Sequence, residues 1–358
     1  MKKKLFIIIL IAAIVCVLVA LALLFWNYTK LPNGSAEISG NIVDNDWNNF
    51  KSFGNGTLLR IEDKLYYNYE RNDWNYGVYE ICNSGSKRII SNGRGLPAEV
   101  LSPHFSIRKV NGELLLYNID TDETLVYSES ENDFFTSAKI NSDRDMQSLY
   151  FVEKDDAFYY IKDYETLTVL GCDGNNDALV ENVADFGFDI IGDEIFFVKD
   201  DGWLTAYNIS SATMRNVCKL KGLLYSATLY SGSYLVYESC VGGKDGIYAV
   251  KFTDENPEHK LICAETAKIK SKTFSDGSGY DFTKWNINSF NVYDGKAYFA
   301  LRSGLICHDL ETDEEVVLSE KNVEECYIVD DMWIYFVDNH KTLWRVTQDG
   351  KTTERVFG

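Results

Sequence analysis

The chain has 358 residues, 46% of them hydrophobic, with 54 acidic against 35 basic side chains and a net charge of −19. That sign excludes a nucleic-acid binder, because affinity for phosphate comes mainly from Lys and Arg releasing counterions.

Residues 1–4 form a short basic tail containing Lys2, Lys3 and Lys4. Leu5 to Trp26 follows as an unbroken apolar run of 22 residues, and a bilayer core needs roughly 20 such residues in a helix. Lysines before such a run are expected on the cytoplasmic side. Residues 5–26 are therefore expected to form a transmembrane signal anchor, single-pass in the cell membrane, with the rest extracytoplasmic. Ala20-Leu21-Ala22 has the form of a signal-peptide cleavage site, but Leu23, Leu24, Phe25 and Trp26 carry the apolar run past it. The remainder is more acidic than the whole chain and is expected to be repelled by anionic head groups.

Residues 27–53 are rich in Asn, Gly, Asp and Ser and read as a stalk, with one strand expected near Glu37 to Val43. Asp44-Asn45-Asp46-Trp47-Asn48 begins like a calcium loop, with oxygen side chains at alternate positions. Asn49 then replaces the glycine, and Asn55 stands where the bidentate Glu belongs. No metal and no cofactor is expected.

From residue 54 to 358 one pattern recurs: a short turn, then a strand thick with aromatic and β-branched residues. Aligned on the first residue after the turn, the copies begin at Lys64, Glu113, Ala157, Glu194, Tyr234, Lys296 and Trp333. Asn111-Gly112 and Asp294-Gly295 are hairpin turn dipeptides. A further strand is expected near Gly77, Thr124, Thr166, Trp203, Gly246, Gly304 and Thr342. Four strands in each of seven copies, with a period mostly near 40–45 residues, predict an all-β fold, a seven-bladed β-propeller preceded by one transmembrane helix. Six or eight blades remain open, and the second and third copies have the least certain boundaries.

Ile334-Tyr335-Phe336-Val337-Asp338, then Leu343-Trp344-Arg345-Val346 and Asp349-Gly350, resembles a blade of the LDL-receptor-type propellers, whose hallmark strand is Tyr-Trp-Thr-Asp. Phe and Val replace the Trp and Thr here. The pattern is more closely similar to an exported bacterial β-propeller family of unknown function that often follows an N-terminal anchor, the LDL-receptor type being the more distant likeness. The resemblance covers about residues 54 to 358 and implies the fold; it does not imply an activity.

His104, His259, His308 and His340 lie in separate copies or connections, without metal-ligand spacing. Seven cysteines lie beyond the apolar run, Cys82, Cys172, Cys218, Cys240, Cys263, Cys307 and Cys326, with no Cys-x-x-Cys. They read mainly as buried thiols, with one or two disulfides as the alternative. No nucleophile elbow and no phosphate loop occurs.

Loop lengths supply the functional expectation. Arg71 to Tyr76, Val241 to Asp245 and Thr266 to Asn288 read as long connections on one rim of the ring. That rim would carry Asp73, Trp74, Tyr76, Phe274, Asp276, Tyr280, Asp281 and Trp285. Aromatic rings beside carboxylates suit a protein, peptide or cell-surface glycan. A noncatalytic, surface-anchored binding module is the leading expectation. The alternatives are an extracytoplasmic enzyme processing glycan or peptide, and a structural or assembly propeller.

Overall fold

The computed structural model describes residues 14–22, 30–41, 58–61, 63–69, 75, 77–91, 98–100, 105–110, 113–118, 123–128, 150–152, 157–162, 165–171, 176–264, 268–273, 279–284 and 287–358. Residues 14–22 are helical. Among the described residues no helix is long and apolar enough to cross a membrane. The rest of the expected 5–26 span lies outside them.

Beyond residue 57 the described chain is antiparallel sheet. Sheet one is β1 (Leu58–Ile61), β2 (Lys64–Tyr69), β3 (Gly77–Cys82) and β4 (Gly85–Ser91). Sheet two is β5 (Ala98–Val100), β6 (Phe105–Val110), β7 (Glu113–Asn118) and β8 (Glu123–Ser128). Sheet three is β9 (Tyr150–Val152), β10 (Ala157–Lys162), β11 (Thr166–Gly171) and β12 (Asn176–Glu181). Sheet four is β13 (Val183–Ile191), β14 (Glu194–Lys199), β15 (Trp203–Asn208) and β16 (Thr213–Lys219). Sheet five is β17 (Leu223–Ser231), β18 (Tyr234–Val241), β19 (Lys244–Lys251) and β20 (His259–Ala264). A separate hairpin follows, β21 (Lys268–Thr273) and β22 (Gly279–Lys284). Sheet six is β23 (Ile287–Tyr293), β24 (Lys296–Leu301), β25 (Gly304–Asp309) and β26 (Glu315–Ser319). Sheet seven is β27 (Val323–Tyr327), β28 (Trp333–Asp338), β29 (Leu343–Thr347) and β30 (Thr353–Phe357).

Each of the seven aligned sequence positions is the first residue of a strand. In six sheets that strand is the second of four; in sheet two it is the third, because β5 and β6 precede it. A register shift near the start of the third strand, where it pairs with the fourth, recurs in sheets one and three to seven, from Val78/Tyr79 to Leu343/Trp344. Such bulges bend and twist a sheet locally. The same device in six copies marks them as one structural unit.

The centres of second strands such as β14, β24 and β28 are apolar because both faces are covered. In β28, Trp333, Tyr335 and Val337 pack against sheet one, while Ile334 and Phe336 pack against sheet six. In β24, Tyr298 and Ala300 face sheet seven, and Ala297, Phe299 and Leu301 face sheet five. In β14, Ile195 and Phe197 join the core shared with sheet three, and Phe196 and Val198 the one shared with sheet five. The period of two sends alternate residues to opposite neighbours. Consecutive four-stranded sheets stacked face to face, with first strands meeting along β13, β17, β23 and β27, make a β-propeller arrangement. Sheet seven meets sheet one through Tyr327, Tyr335 and Phe357 against Tyr67, Tyr69 and Tyr79.

Candidate functional site

Alternating strand direction gives the propeller two rims. One, called here the hairpin rim, carries the connections from second to third strands and from each sheet to the next, including β21–β22. The opposite turn rim carries the connections from first to second and from third to fourth strands.

Of the sequence-predicted site residues, Asp73, Trp74, Tyr76, Phe274, Asp276 and Trp285 lie outside the described residues. Tyr280 and Asp281 are in β22, at register positions opposite Lys272 and Ser271 of β21. Of the connection 71–76 only Asn75 is described, and it is buried. Its amide Nδ2 donates to the Lys30 carbonyl at 3.1 Å, and its own carbonyl accepts the Tyr79 hydroxyl at 2.8 Å. Burial pushes the Tyr79 phenol up to about 12, so it serves as a donor throughout the neutral range.

One expected long connection is corrected. Val241 pairs with Lys244, so β18 and β19 run through most of the interval 241–245 and only Gly242-Gly243 forms the turn. Both glycines have positive φ, 60° and 78°, the conformation a two-residue hairpin turn requires. The turn rim also has an extended connection at residues 252–258. The long between-sheet interval that the described residues show is therefore the β21–β22 insertion, and the interval 129–149 lies outside them.

Residues 30–41 fall in the interval expected to be a stalk, yet they lie along the junction of sheets seven and one. Gly34 forms a bridge with Phe357, and the Gly358 amide donates to the Asn33 carbonyl at 3.2 Å. A Cβ on Gly34 would sit 1.9 Å from the Val356 carbonyl oxygen, so only glycine allows this approach. The Ala36 amide donates to the Cys82 carbonyl at 3.2 Å. Arg60 donates to the carbonyls of Ser39 and Gly40 at 3.1 and 2.8 Å, and Arg345 to that of Glu37 at 2.8 Å. The segment ends on the turn rim, where Asp331 accepts the Asn41 backbone amide and side-chain Nδ2, both at 2.8 Å. The strand expected near 37–43 is not formed over 37–41, and 42–43 lie outside the described residues.

This clasp is built around buried charge. Arg60 stands 3.6 Å from Asp330, and both are nearly or fully removed from solvent. Asp330 also accepts the amides of Met332 and Trp333 and the Tyr335 hydroxyl, at 3.0, 2.7 and 2.9 Å. Burial holds its carboxyl above the usual carboxylate range, despite those donors and Arg60. Asp331 moves the opposite way, lowered chiefly by the Asn41 side chain. Arg345 grips Glu354 through Nε and Nη2 and lies 4.2 Å from the Trp333 ring centroid. Asp338, the last residue of the hallmark-like strand, accepts the amides of His340 and Thr342 and the Trp344 indole at 2.8 Å. Sequence reasoning missed Arg60, Asp330 and Asp331; an arginine within a four-residue apolar strand was the available signal.

His259 Nδ1 meets the Tyr237 hydroxyl at 2.7 Å, and burial, helped by Lys221, lowers its pKa. His308 is buried between Asp313, 3.1 Å from Nε2, and Glu315, 3.3 Å from Nδ1. His340 is exposed, and His104 lies outside the described residues. Among the described residues no group of three or more His, Cys, Asp or Glu side chains is placed to hold a metal. Cys82, Cys218, Cys240, Cys263, Cys307 and Cys326 are free thiols. Burial raises Cys218 to about 11 and Cys326 to about 12, which suppresses the thiolate that reactivity needs.

No protein-family model and no curated protein matches the chain. Among solved structures, BamB from Moraxella catarrhalis is similar at a TM-score of 0.46 and 10% identity, over 87% of this chain and 99% of that one. The computationally designed Ika8 protein is similar at 0.44 and 12%, over 84% and 98%. A chain of a nidogen/laminin complex is similar at 0.40 and 10%, over 72% and 93%.

Proposed function

We propose that the protein is a membrane-anchored, extracytoplasmic, noncatalytic binding module whose seven sheets are the blades of one closed propeller. Its ligand would be a protein, peptide or cell-surface glycan held by the hairpin rim. The observation that carries this reading is the β21–β22 hairpin, inserted at residues 265–286 between sheets five and six. Among the described residues the other passages between sheets are Asn182 alone and residues 220–222 and 320–322, while the passages 92–97 and 129–149 lie outside the described residues. A long insertion between two sheets is where binding function is usually placed. The contact of sheet seven with sheets six and one supports closure. The last copy is then a blade like those of the LDL-receptor type, a reading supported by the turn-capping role of Asp338. The anchor is supported by Ile14, Val15, Val17, Leu18, Val19 and Leu21, apolar helical side chains that are 50% to 59% exposed.

The test is binding of the detergent-solubilised full chain to arrays of cell-surface glycans and of peptides. Trp74→Ala with Trp285→Ala should weaken the wild-type hits about tenfold or more, the scale of aromatic anchors. Unchanged binding to every hit would remove the rim from the site.

A further inference from the structure

The fixed path of residues 30–41 sets which rim faces the membrane. Lys30 lies at the hairpin rim, where its carbonyl accepts Asn75 of the β2–β3 connection. Asn33 meets the C-terminal Gly358 at the end of β30 on the same rim. The segment then crosses the edge of the ring, and Asn41 reaches Asp331 at the β27–β28 connection on the turn rim. The chain therefore enters the propeller from the hairpin rim. Trp26, the last residue of the apolar run, is four residues before Lys30, a gap that extended chain spans in at most about 14 Å. If residues 5–26 cross a bilayer, the hairpin rim is held against its outer surface, and the turn rim stands about 20 Å further out, the length of a six-residue strand.

Charge is divided between the rims in the same sense. Exposed Asp254, Glu255, Glu258, Glu311, Asp313 and Glu314 crowd the turn rim over sheets five and six, where Lys251 and Lys260 pair with Glu311 and Asp313. On the hairpin rim over sheets four to six stand exposed Lys219, Lys221, Lys244 and Arg302, and Lys268, Lys270 and Lys272 occupy alternate positions of β21. Among the described residues Asp200, Asp201 and Glu320 are exposed acids in the same connections and Asp281 lies in β22, while Glu265 and Asp276 of the insertion lie outside the described residues. Exposed Lys30 adds a positive charge where the chain enters, beside Leu31, an apolar side chain 45% exposed.

We infer that the hairpin rim faces the bilayer and that its basic arc over sheets four to six rests on anionic lipid head groups. The acidic charge of the whole ectodomain predicts repulsion; the polarity of the disc turns the repelled face outward and the attracted face inward. This inference rests on the anchored reading above. It narrows that reading, because any partner taken by the hairpin rim is then one held at the membrane surface.

The experiment uses the full chain in vesicles of phosphatidylcholine alone or with phosphatidylglycerol. A fluorescent amino acid is placed at position 339 on the hairpin rim or 351 on the turn rim, both exposed and both in sheet seven. Energy transfer to a head-group-labelled lipid is then read. The expected result is greater transfer from 339 than from 351, rising about twofold in the anionic vesicles and falling back in high salt. Lys219→Glu with Lys221→Glu and Lys244→Glu should abolish that rise, and the salt titration of the wild type gives the same information if the triple variant folds poorly. Equal or greater transfer from 351 would overturn the orientation. Transfer from 339 that is high but indifferent to phosphatidylglycerol and to salt would overturn the head-group contact. Failure of the protein to float with either vesicle would instead overturn the anchored reading itself.

Discussion

Two junctions of the ring solve the same packing problem with different materials. Between sheets seven and one, charge is buried: Arg60 and Asp330 are enclosed, and the Phe357 ring sits edge-on to Tyr67 and Tyr69 and tilted against Tyr79. Between sheets five and six, the charged contacts are exposed: Lys251 and Tyr234 meet Glu311, and Lys260 meets Asp313 at 2.5 Å. The difference follows from connectivity. Sheets five and six are joined by residues 265–286, so their junction is held in register by the chain and can accept a hairpin in the link. Sheets seven and one lie near opposite ends of the sequence, so noncovalent contact alone must offset the entropy of bringing them together. Residues 30–41 reinforce that contact by bonding to both sheets.

The contrast can be broken most severely at the buried junction. Phe357→Ala should destabilise the protein by about 3–5 kcal/mol, the range for deleting a buried aromatic ring, read as a shift of the urea midpoint. Arg60→Met leaves the Asp330 carboxylate enclosed without its cation and should cost about as much, roughly 3–5 kcal/mol. Gly34→Ala forces a Cβ onto the Val356 carbonyl and should cost about 1–3 kcal/mol, the usual range for overpacking. Glu311→Ala, at the exposed junction, should leave the urea midpoint within error, since solvent already screens that pair. A large effect from Glu311 together with a small one from Arg60 would invert the comparison.

Acid sharpens the same contrast inside the clasp. Asp331 has a lowered pKa, so its stabilising contact with Asn41 is present above the ordinary carboxylate range and is lost as pH falls through the lowered value. Asp330 has a raised pKa, so its ionised form costs the folded state, and stability from this group declines as pH rises through the raised value. Asp331→Asn should therefore reduce the loss of stability seen on acidification, as followed by urea midpoints across the acid range.

The strand pattern was legible because it is local. A turn residue followed by an apolar strand can be recognised in seven places without knowing what covers it, and each aligned position begins a strand. Covering both faces of strands such as β28 explains why the pattern was dense rather than alternating. The clasp was not legible, for the opposite reason. Its bonds run from distant arginines to backbone carbonyls, as with Arg345 and Glu37, 308 residues apart, and a carbonyl leaves no mark on the sequence. Asn, Gly and Ser then read as solvated chain. Val241 to Asp245 was misread because two glycines and two charges resemble a loop, although the residues flanking Gly242-Gly243 pair across a tight hairpin. Of the candidate site, sequence gave the insertion between sheets five and six. That residues 30–41 begin at this rim rests on Asn75 meeting Lys30 across 45 residues.

Hydrogen exchange on the unmodified full chain tests most directly whether residues 30–41 close the ring. Peptides covering 30–41 and 353–358 should be protected together and lose protection together with β28 as urea is raised. Exchange of 30–41 as fast as the exposed connection 252–258, with 353–358 still protected, would show that the segment is a free stalk and that the ring closes without it.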